Sequence, residues 1–119
     1  MIYLILTLSL LAPPDSPVEW LQPATVTLED TFQDEAVTYR FEFRNLTDEP
    51  LLVDNVRVGC GCTASKFSET PVAPGETGTI EVTYDAASPG YYRKYVKVFF
   101  AGHRGGHKLW MEGFVESTE

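Results

Sequence analysis

Positive charge is scarce in this chain: nine Lys and Arg stand against 17 Asp and Glu in 119 residues, a net charge of −8. Nucleic acids and anionic membranes are recognised by basic residues that displace counterions or meet headgroups, so neither is expected as a partner. Histidine and cysteine are scarcer still, at two each. Two histidines on one turn leave little general-base chemistry, and no Ser-His-Asp set, phosphate-cradling glycine loop or glycosidase-like carboxylate pair stands out. The sequence therefore argues against an enzyme and calls for no cofactor. Helical periodicity, internal repeats and low-complexity tails are absent too. The one long apolar run, Met1 to Ala12 (MIYLILTLSLLA), is too short to cross a ~30 Å hydrocarbon layer as a helix. A signal-peptide h-region fits its length, although no Lys or Arg precedes it and Pro13-Pro14 follow; a buried first strand is the competing reading. Residues 1–17 are read as an export segment and 18–119 as one domain with no membrane span. The expected location is the periplasm, the cell envelope or the extracellular space.

What the chain does have is strand-forming residues: 12 Thr, 11 Val, 7 Phe and 6 Tyr, whose branched and aromatic side chains suit a pleated, half-buried surface. From Ala36 to Asn45 the run AVTYRFEFRN alternates, with Val37, Tyr39, Phe41 and Phe43 on one face and Thr38, Arg40, Glu42 and Arg44 on the other. After the turn formers LTDEP, a strand from Leu51 to Val58 would place Val56, Val58, Cys60 and Cys62 on one face if it ran that far. Ile80, Val82 and Tyr84 form a third inward set; Tyr92, Val96, Val98 and Phe100 form a fourth. The turn Ala101 to Lys108 leads to a strand carrying Leu109, Met111 and Val115, and an earlier strand, Ala24 to Glu29, supplies Val26 and Leu28. With a short piece at Ala64 to Phe67, the expectation is an all-β fold, a single immunoglobulin-like β-sandwich of about seven strands.

The order of these motifs resembles the bacterial secreted family known as domain of unknown function 1573, related to the Hydin and major-sperm-protein group. Phe41, Phe43, Asn45, Pro50, Leu51 and Val56 carry the resemblance, followed by Gly59-Cys60-Gly61-Cys62-Thr63. It continues through Pro71, Val72, Pro74, Gly75, Ile80, Val82, Tyr84, Asp85, Gly90, Tyr92, Lys94, Val96, Val98 and Leu109 to Gly113. The Cys-Gly-Cys-Thr run is its most specific piece. Where the family usually carries an Asp-Phe-Gly step, this chain has Thr27-Leu28-Glu29, which leaves the first hairpin open. The resemblance implies an Ig-type fold and an exported setting, and no activity.

Cys60 and Cys62 are the residues with the most distinctive chemistry. In an extended strand, residues two apart lie ~6.5–7 Å apart with parallel Cβ vectors. A disulfide needs Cβ atoms ~3.5–4.5 Å apart, so a bridge requires a bend, which Gly61 can supply. Buried thiols, a disulfide open to redox use, and half of a soft-metal site are all open readings. His103 and His107 have a zinc-like spacing, but the sandwich topology puts their turn ~25 Å from the cysteines, where it is expected to be solvated. Glu29, Asp30, Asp34, Glu35 and Asp85 are placed near the cysteine end, where negative charge disfavours thiolate. Asn45-Leu46-Thr47 matches a glycosylation sequon, with a structural role at the strand exit as the ordinary alternative.

Tyr95, Phe99 and Trp110 point outward on the expected strands and would form an apolar stripe of the kind that marks interfaces, with lateral packing of Trp110 on Tyr95 or Phe99 as the plainer reading. The leading expectation is thus a non-catalytic exported module that binds an unknown protein partner or serves as an envelope scaffold. The alternative is a thiol-redox or soft-metal-binding protein centred on Cys60 and Cys62. A third is strand addition at an open sheet edge.

Overall fold

A computed structural model describes residues 16–60 and 63–118, so most of the expected export segment, and Cys62, lie outside the described residues. Nine strands and no helix occur among them: β1 (Val18–Trp20), β2 (Thr25–Thr27), β3 (Thr31–Phe32), β4 (Val37–Asn45), β5 (Val53–Val58), β6 (Thr63–Phe67), β7 (Thr77–Tyr84), β8 (Gly90–Phe100) and β9 (His107–Glu116). They form two facing sheets in the orders β1-β4-β7-β6 and β2-β9-β8-β5, with β3 also paired to β9. This is the all-β, immunoglobulin-like sandwich that the alternation implied.

The alternating residues become the core. Phe41 and Phe43 of β4, Ile80, Val82 and Tyr84 of β7, Tyr92, Val96, Val98 and Phe100 of β8, and Leu109, Met111 and Val115 of β9 are all buried. Burying each such side chain contributes ~1.5–3 kcal/mol relative to exposure, which is why the inward set fixes the register of every long strand. Gly78 is required where it stands, because a Cβ there would come within 2.5 Å of Phe43 Cζ.

The differences from the sequence reading have local causes. The strand expected at Ala24 to Glu29 is cut to Thr25–Thr27, resumes at Thr31–Phe32, and pairs parallel to β9 rather than forming a hairpin. β9 begins at His107, so the glycine-rich turn is shorter than expected. In β5 a bulge between Val53 and Asn55 resets the alternation, and the strand stops at Val58. Val58, expected in the core, is 39% exposed, and Cys60 lies beyond the strand in a bend instead of sharing a face with Val56.

Candidate functional site

The outer face of the β2-β9-β8-β5 sheet gathers the outward-pointing residues of its long strands. Tyr95 of β8 stands opposite Trp110 of β9, and their rings meet at a centroid distance of 4.9 Å. Both are half-buried, so the lateral packing of Trp110 falls on Tyr95. Gly59 makes room for this pair: its N–H donates to the Tyr95 carbonyl at 3.2 Å, and a Cβ there would stand 3.2 Å from the Tyr95 ring. Arg93 lies over Trp110 with Cζ 4.0 Å from the centroid, a cation–π contact. Its Nε donates to Glu112 at 3.3 Å. Glu112 also accepts from Tyr91 and Thr27; these bonds, that from Tyr91 foremost, hold its carboxyl below the usual range.

Phe99 does not join the pair. One cross-strand row of cations separates them: Arg57 faces Lys97, and Lys97 faces Lys108. Lys108 Nζ lies 4.6 Å from the Tyr95 ring centroid, while Lys97 Nζ and Arg57 Cζ each lie 5.7 Å from that of Phe99. The expected apolar stripe is therefore interrupted by charge. Sequence reasoning sorted Tyr95, Phe99 and Trp110 to the outer face but missed this row, because alternation assigns faces and says nothing of which residues meet across strands.

Cys60 is half-buried and disulfide-bonded, and the only other cysteine in the chain is Cys62. The Thr63 N–H donates to the Cys60 carbonyl at 3.3 Å, and Cys60 Sγ lies 3.4 Å from Thr63 Oγ1. A disulfide sulfur has no thiolate to offer a soft metal, so the two readings exclude one another in any one state. Thr63 pairs with Tyr84, which puts Cys60 at the same end as Asp85 and the Asp34 loop, whose N–H reaches the Ala86 carbonyl.

The histidines separate. His103 is exposed in the turn, but His107 is not solvated as expected: it is the first residue of β9, half-buried between Trp20 and Phe100. The Trp20 indole N–H donates to its Nδ1 at 3.2 Å, and burial pushes its pKa down. His107 pairs with Val98 and Gly59 bonds Tyr95, three residues along β8, so the ring lies only ~10 Å along the strand from the start of the cysteine bend. That is nearer than the ~25 Å expected for the turn, yet beyond reach of a shared metal. Asn45 is 1% exposed with its amide fully engaged, which closes it to glycosylation.

A family model described as a protein of unknown function, DUF1573, matches residues 20–115. No curated protein matches by sequence. Among solved structures, a protein of unknown function from Porphyromonas gingivalis W83 is similar at 13% identity and a TM-score of 0.67, over 82% of this chain and 46% of that one. The chain thus spans about half the length of that relative. The ASH/PapD-like domain 7 of human CEP192 is similar at 13% identity and a TM-score of 0.66, over 100% of this chain and 99% of that one. The YadV chaperone is similar at 12% identity and a TM-score of 0.56, over 87% of this chain and 53% of that one. At these identities the likeness is one of fold.

Proposed function

The chain belongs to the DUF1573 family of proteins of unknown function, and from that premise we propose that it is a non-catalytic, exported Ig-like module that binds another protein through the outer face of the β2-β9-β8-β5 sheet. The observation that carries this reading is the half-buried Tyr95–Trp110 pair with Arg93 stacked on it, on a face over which no strand packs among the described residues. Aromatic residues and Arg dominate the energetics of protein interfaces: the aromatics offer large contact area with few rotatable bonds, and Arg adds a planar charge that stacks on them. A chaperone among the fold neighbours supports an interaction role. Export is supported by the apolar run at Met1 to Ala12 and by the disulfide at Cys60, a bond that persists in oxidising compartments.

The test is crosslinking of the protein in its native compartment, followed by affinity measurement with the recovered partner. Tyr95→Ala and Trp110→Ala should each weaken binding at least about tenfold, as central aromatic contacts do, with the strand signature in circular dichroism unchanged. Wild-type affinity in both variants would remove this face from consideration. A thiol-based role has one supporting observation, the disulfide-bonded Cys60 in an open bend. It takes precedence if Cys60→Ser abolishes partner capture while Trp110→Ala leaves it intact.

A further inference from the structure

Elsewhere in the two sheets, outward cations face acids in register. Arg40 stands opposite Glu81, Arg44 opposite Glu19, Arg93 opposite Glu112 and Lys66 opposite Glu81. Three of these pairs close into ion pairs of 3.2–3.5 Å. The row Arg57, Lys97, Lys108 breaks the pattern, placing like charge opposite like charge twice on three adjacent strands. None of the three forms an ion pair among the described residues. Like charges directly opposite one another destabilise a sheet, and an acidic chain with 17 carboxylates had ample means to avoid the arrangement.

We propose that the row Arg57, Lys97 and Lys108 is the docking site for a carboxylate-rich segment of the partner protein. This rests on the interaction-module reading and gives that partner its chemistry. Strand spacing sets the cations ~5 Å apart, so the row spans ~10 Å across the strands and a crossing acidic segment meets one cation per strand. Tyr95 and Trp110 flank the row on one side and Phe99 on the other, ready to pack the segment's apolar side chains. Charge complementarity also limits the length of the ligand. A nucleic acid or sulfated glycan carries charge along its whole length and would meet the acidic remainder of a protein of net charge −8. A short acidic protein segment ends where the row ends.

The test uses the full chain, labelled oligoglutamate as the probe and heparin as the competing polyanion. Wild type should bind oligoglutamate, with affinity falling as salt is raised, and should prefer it to heparin at physiological ionic strength. Lys97→Glu turns the row into an alternating one. It should weaken oligoglutamate binding roughly tenfold or more while leaving the melting temperature equal or higher, since two repulsive pairs become attractive. Lys108→Gln should weaken binding in the same direction without reversing charge. If Lys97→Glu binds like wild type, or heparin binds more tightly than oligoglutamate, the proposal is overturned. Loss of the native partner in Trp110→Ala with its retention in Lys97→Glu overturns only the acidic chemistry. Retention in both removes the face itself.

Discussion

Asn45 offers the sharpest test of how this sandwich is closed at one end. Its side chain lies at the exit of β4, and Nδ2 donates to the Glu49 carbonyl at 2.8 Å and to the Val72 carbonyl at 2.9 Å. Oδ1 accepts from the Thr47 N–H at 2.8 Å and from the Thr47 hydroxyl at 2.7 Å. One residue thus ties the turn after β4 to the segment before β7. Truncation to Ala removes four bonds, each worth ~0.5–1.5 kcal/mol net. The loss is moderated because the Val72 carbonyl keeps its bond from the Leu51 N–H and the Thr47 and Glu49 groups lie near water. The expected cost is roughly 3 kcal/mol, or a fall in melting temperature of about 12–24 °C for a domain of this size. Asn45→Asp is the more discriminating change, since it preserves volume but turns the donor facing two carbonyls into an acceptor. At pH 7 it should cost at least as much as Ala. Acidification should then narrow its deficit relative to wild type, as the protonated carboxyl regains one O–H donor. Urea unfolding of the three proteins at pH 7 and pH 4, with m-values compared, reads both effects. A loss under about 1 kcal/mol for Asn45→Ala, or Asn45→Asp as stable as wild type at pH 7, would refute the account.

Two further outcomes follow from the inter-sheet packing. The Tyr92 hydroxyl is buried without a hydrogen-bond partner among the described residues, over Gly113 and stacked on Tyr84, so Tyr92→Phe should be neutral or more stable by up to about 1 kcal/mol; a clear fall in melting temperature would contradict this. His107 has a folded pKa below its unfolded value through burial, so the unfolded chain binds more protons and stability should drop as pH falls below about 6.5, levelling off below the folded pKa, with a slope of at most about 1.4 kcal/mol per pH unit. Protonation at Nδ1 also breaks the bond from Trp20, and His107→Phe should flatten that part of the profile in a comparison of melting temperatures across pH 4.5–8.

The core was legible because alternation and burial are the same fact seen twice: a side chain repeats its face every second residue, and the apolar set must go inward. Phe41, Phe43, Ile80, Val82, Val96, Val98, Leu109 and Met111 were all assignable this way. Alternation failed where the backbone breaks period. The bulge in β5 shifts phase by one residue, so Val53 is buried where a straight extrapolation from Val56 would turn it outward; Val58 keeps the phase of Val56, opposite Val96, and is exposed because it is the last residue of an edge strand. His107 was hidden for another reason: its burial depends on Trp20, which is far away in sequence and belongs to the opposite sheet.

The candidate site lies at the limit of this kind of reading. Facing direction is a property of one strand, whereas the Arg57, Lys97 and Lys108 row is a property of three strands in a particular register, set by core residues that do not touch it. Val56 opposite Val98 and Val98 opposite His107 hold the phase from inside. Once that phase is set, the cations one position away on the outer face have no choice of neighbour. A one-residue slip of β5 would relieve the repulsion at Arg57 but turn Val56 and Val53 away from the core. The energy of apolar burial, ~1.5–3 kcal/mol per side chain, exceeds the ~0.2–1 kcal/mol of a cross-strand pair, so the core can hold an unfavourable surface row in place. A binding surface built on such a row is preorganised at the expense of stability. That is why replacing Lys97 by an acid separates the two roles: stability and anion binding should move in opposite directions, an outcome that a purely structural role for these cations does not produce.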